Sequence, residues 1–161
     1  QLNIVPVTIS YEYNPCDALL LPELLAKSEE REYVKGPMED LISMMKGIEG
    51  KKGRIHLSFG DPLNSIGNNL VDVTEEKFVN QIVDLVDHEV YKKFQLFPTN
   101  FIADDLLNQQ TKWANNYTTE EKETFKKVMT SRLAAVEGDP EKLKNIYLKM
   151  YANPVIKNKE E

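Results

Sequence analysis

A single cysteine, Cys16, among 161 residues excludes an intrachain disulfide and any Cys-rich zinc site. Basic side chains are outnumbered by acidic ones, 20 to 26, for a formal charge of −6, so the cationic excess of a nucleic-acid binder is missing. No apolar run approaches the roughly 20 residues that a membrane-spanning helix needs. No basic start followed by an apolar stretch marks a secretory leader. What is present is ordinary: 41% hydrophobic and 29% charged residues describe a globular chain able to bury one core, not a disordered polyelectrolyte.

Asn3 to Tyr13 is rich in β-branched and aromatic residues, and its near-continuous apolarity predicts a strand covered on both faces, with Pro6 at an edge or irregularity. Asn14-Pro15-Cys16-Asp17 supplies a turn, with Asp17 as a helix cap. Leu19, Leu20, Leu21, Leu24 and Leu25 then form a helical face that Pro22 should kink or restart. After Gly36, Pro37 is expected to open a helix whose Met38, Leu41, Ile42, Met45 and Ile48 repeat like one buried face, stopped by Gly47, Gly50 and Gly53. Arg54 to Phe59 alternates at period two, predicting a half-buried strand ending at Gly60-Asp61-Pro62.

Beyond a loop to Val73, Thr74 is expected to cap a helix, with Glu75 and Glu76 at its positive end and Phe78, Ile82, Leu85, Val86 and Val90 on one face to about Lys93. Pro98 ends the following linker. Phe101, Ile102, Leu106 and Leu107 suggest another helix anchored by Trp113. Thr118 or Thr119 caps a helix carrying Phe125, Val128, Met129, Leu133 and Val136, stopped by Gly138. Asp139-Pro140 opens a last helix, with Leu143, Ile146, Tyr147 and Met150, that Asn153-Pro154 should stop, leaving a frayed tail from Lys157. The expectation is two strands and about six helices, helix-dominated, without an internal repeat. Two strands do not make a stable sheet alone, and the chain, opening on Gln1, reaches strand-like sequence by Ile4. The missing strands are therefore expected ahead of Gln1 or in a partner chain.

Ile4-Val5-Pro6-Val7, the Arg54 to Leu63 strand with its Phe59-Gly60-Asp61-Pro62-Leu63 turn, and the acidic helix start at Thr74 together resemble the back half of the glycerolipid acyltransferase domain, the family of 1-acyl-glycerol-3-phosphate and glycerol-3-phosphate acyltransferases. Tyr11 to Asp17, Gly53-Arg54-Ile55-His56 and Phe97 to Ala103 look like a bacterial subgroup that extends this domain with helices. The resemblance implies an α/β acyltransferase-like fragment, with residues 1–93 as the back half of that domain and residues 94–161 as a helical extension packed on it. In the family a His-x4-Asp dyad deprotonates the acceptor hydroxyl, which attacks the thioester of acyl-CoA or acyl-carrier protein. A Phe-Pro-Glu-Gly-Thr-like segment and an Arg hold the acceptor phosphate. These parts precede the Ile-Val-Pro-Val strand in the family's order and none stands before Ile4 here, so no catalytic residue and no cofactor is expected in this chain. Ile4, Val5, Pro6 and Val7 are the substrate-binding candidates that the resemblance implies, as acyl-channel wall or as plain core. It also implies a cytoplasmic parent peripheral to the inner membrane, working in phospholipid synthesis on a glycerophosphate acceptor.

His56 and Asp61 satisfy His-x4-Asp, yet residues five apart on a continuing strand point to opposite faces, and the segment already has its place as the later strand. They are expected to be a strand histidine and a turn aspartate. His88, between Asp87 and Glu89 on a helix, lacks further ligands at helical spacing and reads as solvated surface. Cys16, with no basic neighbour in sequence, reads as a small packing residue. Gly47, Gly50 and Gly53 lack the Lys-Ser/Thr of a phosphate loop. Charge is uneven: residues 1–109 hold 10 basic and 18 acidic groups, residues 110–161 hold 10 and 8. Lys122, Lys126, Lys127 and Arg132 could meet an anionic bilayer, but a solvated face over a core-facing apolar side is favoured. Two readings compete: the C-terminal part of an acyltransferase, inert alone, and a non-enzymatic helical interaction module that adds its strands to a partner's sheet.

Overall fold

The computed structural model describes residues 4–63 and 75–157. Its elements are β1 (Val7–Tyr11), α1 (Asp17–Ser28), α2 (Glu39–Glu49), β2 (Ile55–Phe59), α3 (Glu75–Lys93), α4 (Pro98–Leu107), a 3-10 turn at Ala114–Asn116, α5 (Thr119–Leu133) and α6 (Pro140–Lys157). The described residues thus form a helix-dominated chain with two strands, as its periodicities predict. Thr74, the side chains of Glu75 and Glu76, and the tail beyond Lys157 lie outside the described residues. The chain forms two compact units, one built from residues 4–10 with the described part of 55–95, the other from residues 11–54 and 96–157.

In the first unit β1 and β2 pair as an antiparallel ribbon. The register that joins Gly60 N–H to the Pro6 carbonyl (2.8 Å) and Glu12 N–H to the Arg54 carbonyl (3.0 Å) sets Thr8 opposite Ser58 and Ser10 opposite His56. Pro6 lies just ahead of β1 and contributes its carbonyl, which needs no N–H. The expected burial is inverted here. Thr8 and Ser10 are buried, whereas Val7, Ile9, Tyr11, Ile55, Leu57 and Phe59 are between 38% and 63% exposed. One helix can cover only one face of a ribbon, and the polar face has what the C-terminal end of α3 requires. Thr8 Oγ1 donates to the Val90 carbonyl at 3.5 Å, a group the ending helix leaves open, and Ser10 Oγ accepts from the N–H of Gln95, just beyond the helix, at 3.0 Å. Neither strand is covered on both faces, and the alternation of β2 is real but puts its apolar side outward.

The second unit holds the main core. Leu21 and Leu25 of α1, Ile102 and Ala103 of α4, Phe125 and Met129 of α5, and Leu143, Tyr147, Leu148, Tyr151 and Ala152 of α6 form one buried cluster. Three starts are legible in local chemistry. Asn100 Oδ1 accepts from Phe97 N–H at 2.8 Å, so Pro98 opens α4. Thr118 Oγ1 accepts from Glu121 N–H at 3.1 Å while Glu121 returns the bond to Thr118 N–H at 2.8 Å, a reciprocal cap. Asp139 Oδ1 takes the N–H groups of Glu141 and Lys142 at the start of α6. Gly138, with φ of +152°, follows the end of α5, where a Cβ would approach Leu25 Cδ2 to 2.6 Å.

Local expectations fail where tertiary contacts decide. Pro22 lies inside an uninterrupted α1 and Pro154 inside α6; Val155, just past Pro154, is buried, so packing holds the helix beyond a residue that costs it one hydrogen bond. Helix α2 begins at Glu39, with Met38 as left-handed cap residue, and contains Gly47. None of its residues is buried, which overturns the expected buried face: a 3.6-residue apolar repeat fixes a helix's amphipathicity, not the presence of a partner for it. Asp17 is the first residue of α1, preceded by Cys16 as cap, and is fully buried.

Candidate functional site

The two segments that carry the sequence resemblance lie side by side in the first unit. Pro6 O accepts from Gly60 N–H at 2.8 Å and Ile4 O from Leu63 N–H at 2.9 Å, so Ile4-Val5-Pro6-Val7 is paired with Phe59-Gly60-Asp61-Pro62-Leu63. Of the four expected substrate-binding residues, Pro6 is buried while Ile4, Val5 and Val7 are 37%, 44% and 47% exposed. Glu89 of α3, itself buried, reaches the turn: its Oε2 accepts from Asp61 N–H at 3.3 Å, and its Oε1 pairs with Lys92 at 3.6 Å. A Cβ at Gly60 would meet Glu89 Oε2 at 3.0 Å and Pro6 Cβ at 3.3 Å, so a side chain here would require the Glu89 carboxylate or Pro6 to give by a few tenths of an ångström.

His56 sits mid-strand on the covered face of the ribbon and Asp61 in the exposed turn after it. No hydrogen bond or ion pair joins them among the described residues, and the pair is not brought together as a dyad. His88 lies on the exposed side of α3. Cys16 packs against α2, its thiol donating to the Ser43 carbonyl at 3.4 Å. On α5, Phe125 and Met129 face the core while Lys122 lies over the Tyr117 ring at 5.6 Å, Lys126 pairs with Glu123 at 2.8 Å and Arg132 pairs with the buried Asp17 at 3.2 Å. Among the described residues no helix is long and apolar enough to cross a membrane, and no group of three or more His, Cys, Asp or Glu is placed to hold a metal ion.

The second unit contains polar constellations that periodicity does not reveal. Asp17 Oδ2 accepts from Tyr147 and Tyr151 at 3.0 and 2.9 Å, and Oδ1 accepts from Ala18 N–H at 2.7 Å and pairs with Arg132 Nε at 3.2 Å. Burial first, followed by the neighbouring Tyr151 and Asp17 for Tyr147 and by Asp17 for Tyr151, pushes both tyrosine hydroxyls well above their ordinary pKa. Asp104 Oδ2 accepts from Trp113 Nε1 at 2.7 Å, and Asp105 Oδ2 from Tyr117 at 2.7 Å; burial and that carboxylate raise the Tyr117 hydroxyl to about 12. These buried carboxylates are hydrogen-bonded within the fold and tie the helices together. The one available signal was the Asp104-Asp105 pair inside an apolar helical stretch, since charged residues are almost never fully buried without partners.

In the second unit, Arg54 joins three segments. Its guanidinium contacts Glu12 at 2.7 Å and Glu121 at 3.3 Å and lies 5.6 Å from the centre of the Phe97 ring. Burial would raise the Glu12 carboxyl, but the hydrogen bonds and charge of Arg54 outweigh it and hold the group below the ordinary glutamate value. No family model, no curated protein and no solved structure matches the chain.

Proposed function

We propose that these residues are the C-terminal part of a glycerolipid acyltransferase, a cytoplasmic enzyme peripheral to the inner membrane that moves an acyl group from acyl-CoA or acyl-carrier protein to a glycerophosphate hydroxyl. The supporting observation is the direct pairing of Ile4-Val5-Pro6-Val7 with the Phe59 to Leu63 turn, two segments far apart in sequence whose likeness to the family rests on their order. In this reading the exposed side chains of Ile4, Val5 and Val7 provide apolar wall for the acyl chain and for the catalytic half. They supply no proton transfer, which belongs to a His-x4-Asp segment ahead of them.

An acyl-transfer assay tests it. A polypeptide that joins the upstream coding segment to these residues is expected to acylate a glycerophosphate acceptor, and the 161 residues alone are not. Turnover by the 161 residues alone, or an upstream sequence without both His-x4-Asp and a Phe-Pro-Glu-Gly-like stretch, defeats the reading. The exposed apolar face of the ribbon favours one other reading, a non-enzymatic module whose strands complete a partner's sheet, and the second of those outcomes would select it.

A further inference from the structure

The geometry points to an anion-binding cleft in the helical second unit, suited to a small amphiphile with a carboxylate or phosphate head and an apolar body. The cleft, of about 540 Å³, lies between the loop after α2 and one stripe of α5, a volume in the range of small-molecule sites. Lys51, Lys52 and Arg132 bring three cations to it, and no carboxylate lines it. Thr124, Val128 and Arg132 fall four residues apart and so share one helix face. Val128 and the Tyr13 ring give it an apolar floor.

These cations have donors to spare. Among the described residues the Lys51 ammonium and the Thr124 hydroxyl take part in no hydrogen bond or ion pair. Lys52 Nζ donates to the Ile48 and Gly50 carbonyls at 2.9 and 3.0 Å, leaving one of its three N–H groups. Arg132 pairs with Asp17 at 3.2 Å through Nε, and among the described residues its two terminal amino groups take part in no hydrogen bond. An adjoining cleft that shares Tyr13 and Thr124 holds Glu12, Glu120 and Glu121, and the single charge of Arg54 offsets one of the two carboxylates, Glu12 and Glu121, that it contacts. Asp17 offsets part of the Arg132 charge. The lining itself carries three cations and no carboxylate over an apolar floor, which favours an oxyanion on a greasy body over a bare ion. Gly53, with φ of +64°, shapes the rim, where a Cβ would strike Glu12 Oε2 at 2.6 Å. Nothing in this inference depends on acyl transfer.

Amide chemical-shift titration of the isotope-labelled 161-residue chain with octanoate, phenyl phosphate and inorganic phosphate tests it. Octanoate or phenyl phosphate should shift Gly53, Thr124 and Val128 saturably, with inorganic phosphate weaker; whichever of the two binds identifies the head group. Lys51→Gln should weaken binding about threefold, as loss of one exposed charge does. Val128→Glu, which places a carboxylate in the floor, should abolish it with the thermal transition retained, and added salt should weaken it. No saturable shift at those residues with any probe, or binding unchanged in both variants, overturns the proposal; inorganic phosphate binding as well as the amphiphiles shows an adventitious ion site only and overturns it too.

Discussion

Tyr151 donates its hydroxyl hydrogen to Asp17 at 2.9 Å across 134 positions of sequence, and the same hydroxyl accepts from Asn14 N–H at 3.0 Å. One phenol thus ties the start of α1 and the turn before it to the last helix. Tyr147 repeats the contact one turn earlier on α6, and Phe125 packs against both rings at 6.0 and 5.4 Å.

Removing the carboxylate leaves two buried hydroxyls and a half-exposed guanidinium without their acceptor. Asp17→Ala should destabilise the chain by on the order of 3 kcal/mol, the scale for breaking a buried hydrogen-bonded charge pair. Tyr151→Phe, which removes one bond and keeps the ring, should cost about 1 kcal/mol. Urea unfolding checks both, and an Asp17→Ala cost no larger than that of Tyr151→Phe would show that the buried carboxylate contributes no more than one hydrogen bond.

The same network predicts an alkaline limit. Tyr147 and Tyr151 have hydroxyl pKa values raised above the ordinary 10 in the folded chain, so the unfolded chain ionises first. Their contribution is complete below pH 10 and is lost progressively as pH rises above it. Tyrosinate absorbance should therefore appear together with the loss of circular dichroism for these two rings. Ionisation of every tyrosine near pH 10 with the fold intact would contradict the network.

The glycine and the salt bridge at the rim are coupled. Gly53→Ala forces a side chain into a left-handed backbone and against Glu12, and should cost about 1–2 kcal/mol. Arg54→Ala alone should cost about 1 kcal/mol, since the guanidinium is half exposed. Because both changes disturb the Glu12 contact, the double variant should lose less than their sum. The Glu12 carboxyl lies below its ordinary value of 4.5, so its share of stability is present above that pH and lost as pH falls through the lowered value. Additive costs, or an acid transition unchanged in Arg54→Ala, would contradict this arrangement.

Element type was legible in the sequence because it depends on local chemistry: the Thr118 cap with Glu121, Asp139 ahead of Pro140, and the period-two run from Arg54 to Phe59 each follow from neighbouring residues. Burial was legible only in part. The apolar repeats of α1, α4 and α6 found partners, whereas that of α2 and the apolar side of the ribbon did not, and nothing in a periodicity distinguishes these cases. Proline misled twice in the same way, since Pro22 and Pro154 sit within helices held by α1, α4, α5 and α6 packing on one another. The Asp17, Tyr147, Tyr151 and Arg132 constellation draws on three distant helices, and no local pattern joins them.

His56 should be dispensable for chemistry. It lies mid-strand opposite Ser10, without a bond to Asp61, so if the chain is part of an acyltransferase, as proposed, His56→Ala in the joined polypeptide should leave kcat/KM within a few-fold of the starting enzyme. A loss of several orders of magnitude, with the fold retained, would place this histidine in the reaction and make the His56-x4-Asp61 spacing meaningful.

The outward apolar face of the ribbon separates what stabilises this chain from what awaits a cover. Leu57 is 53% exposed, whereas Phe125 is fully buried in the helical core. Phe125→Ala should cost about 3–5 kcal/mol through lost burial and the cavity left behind. Leu57→Lys should change the stability of the isolated chain by no more than about 0.5 kcal/mol, while reducing its concentration-dependent self-association, because contiguous exposed apolar surface promotes association. If the ribbon is completed by the catalytic half, the same Leu57→Lys change should sharply destabilise the joined polypeptide, where the lysine must be buried. Equal tolerance in both contexts, read by thermal unfolding, would show that this face stays open to solvent and would remove the ribbon's apolar side as support for either reading of the function.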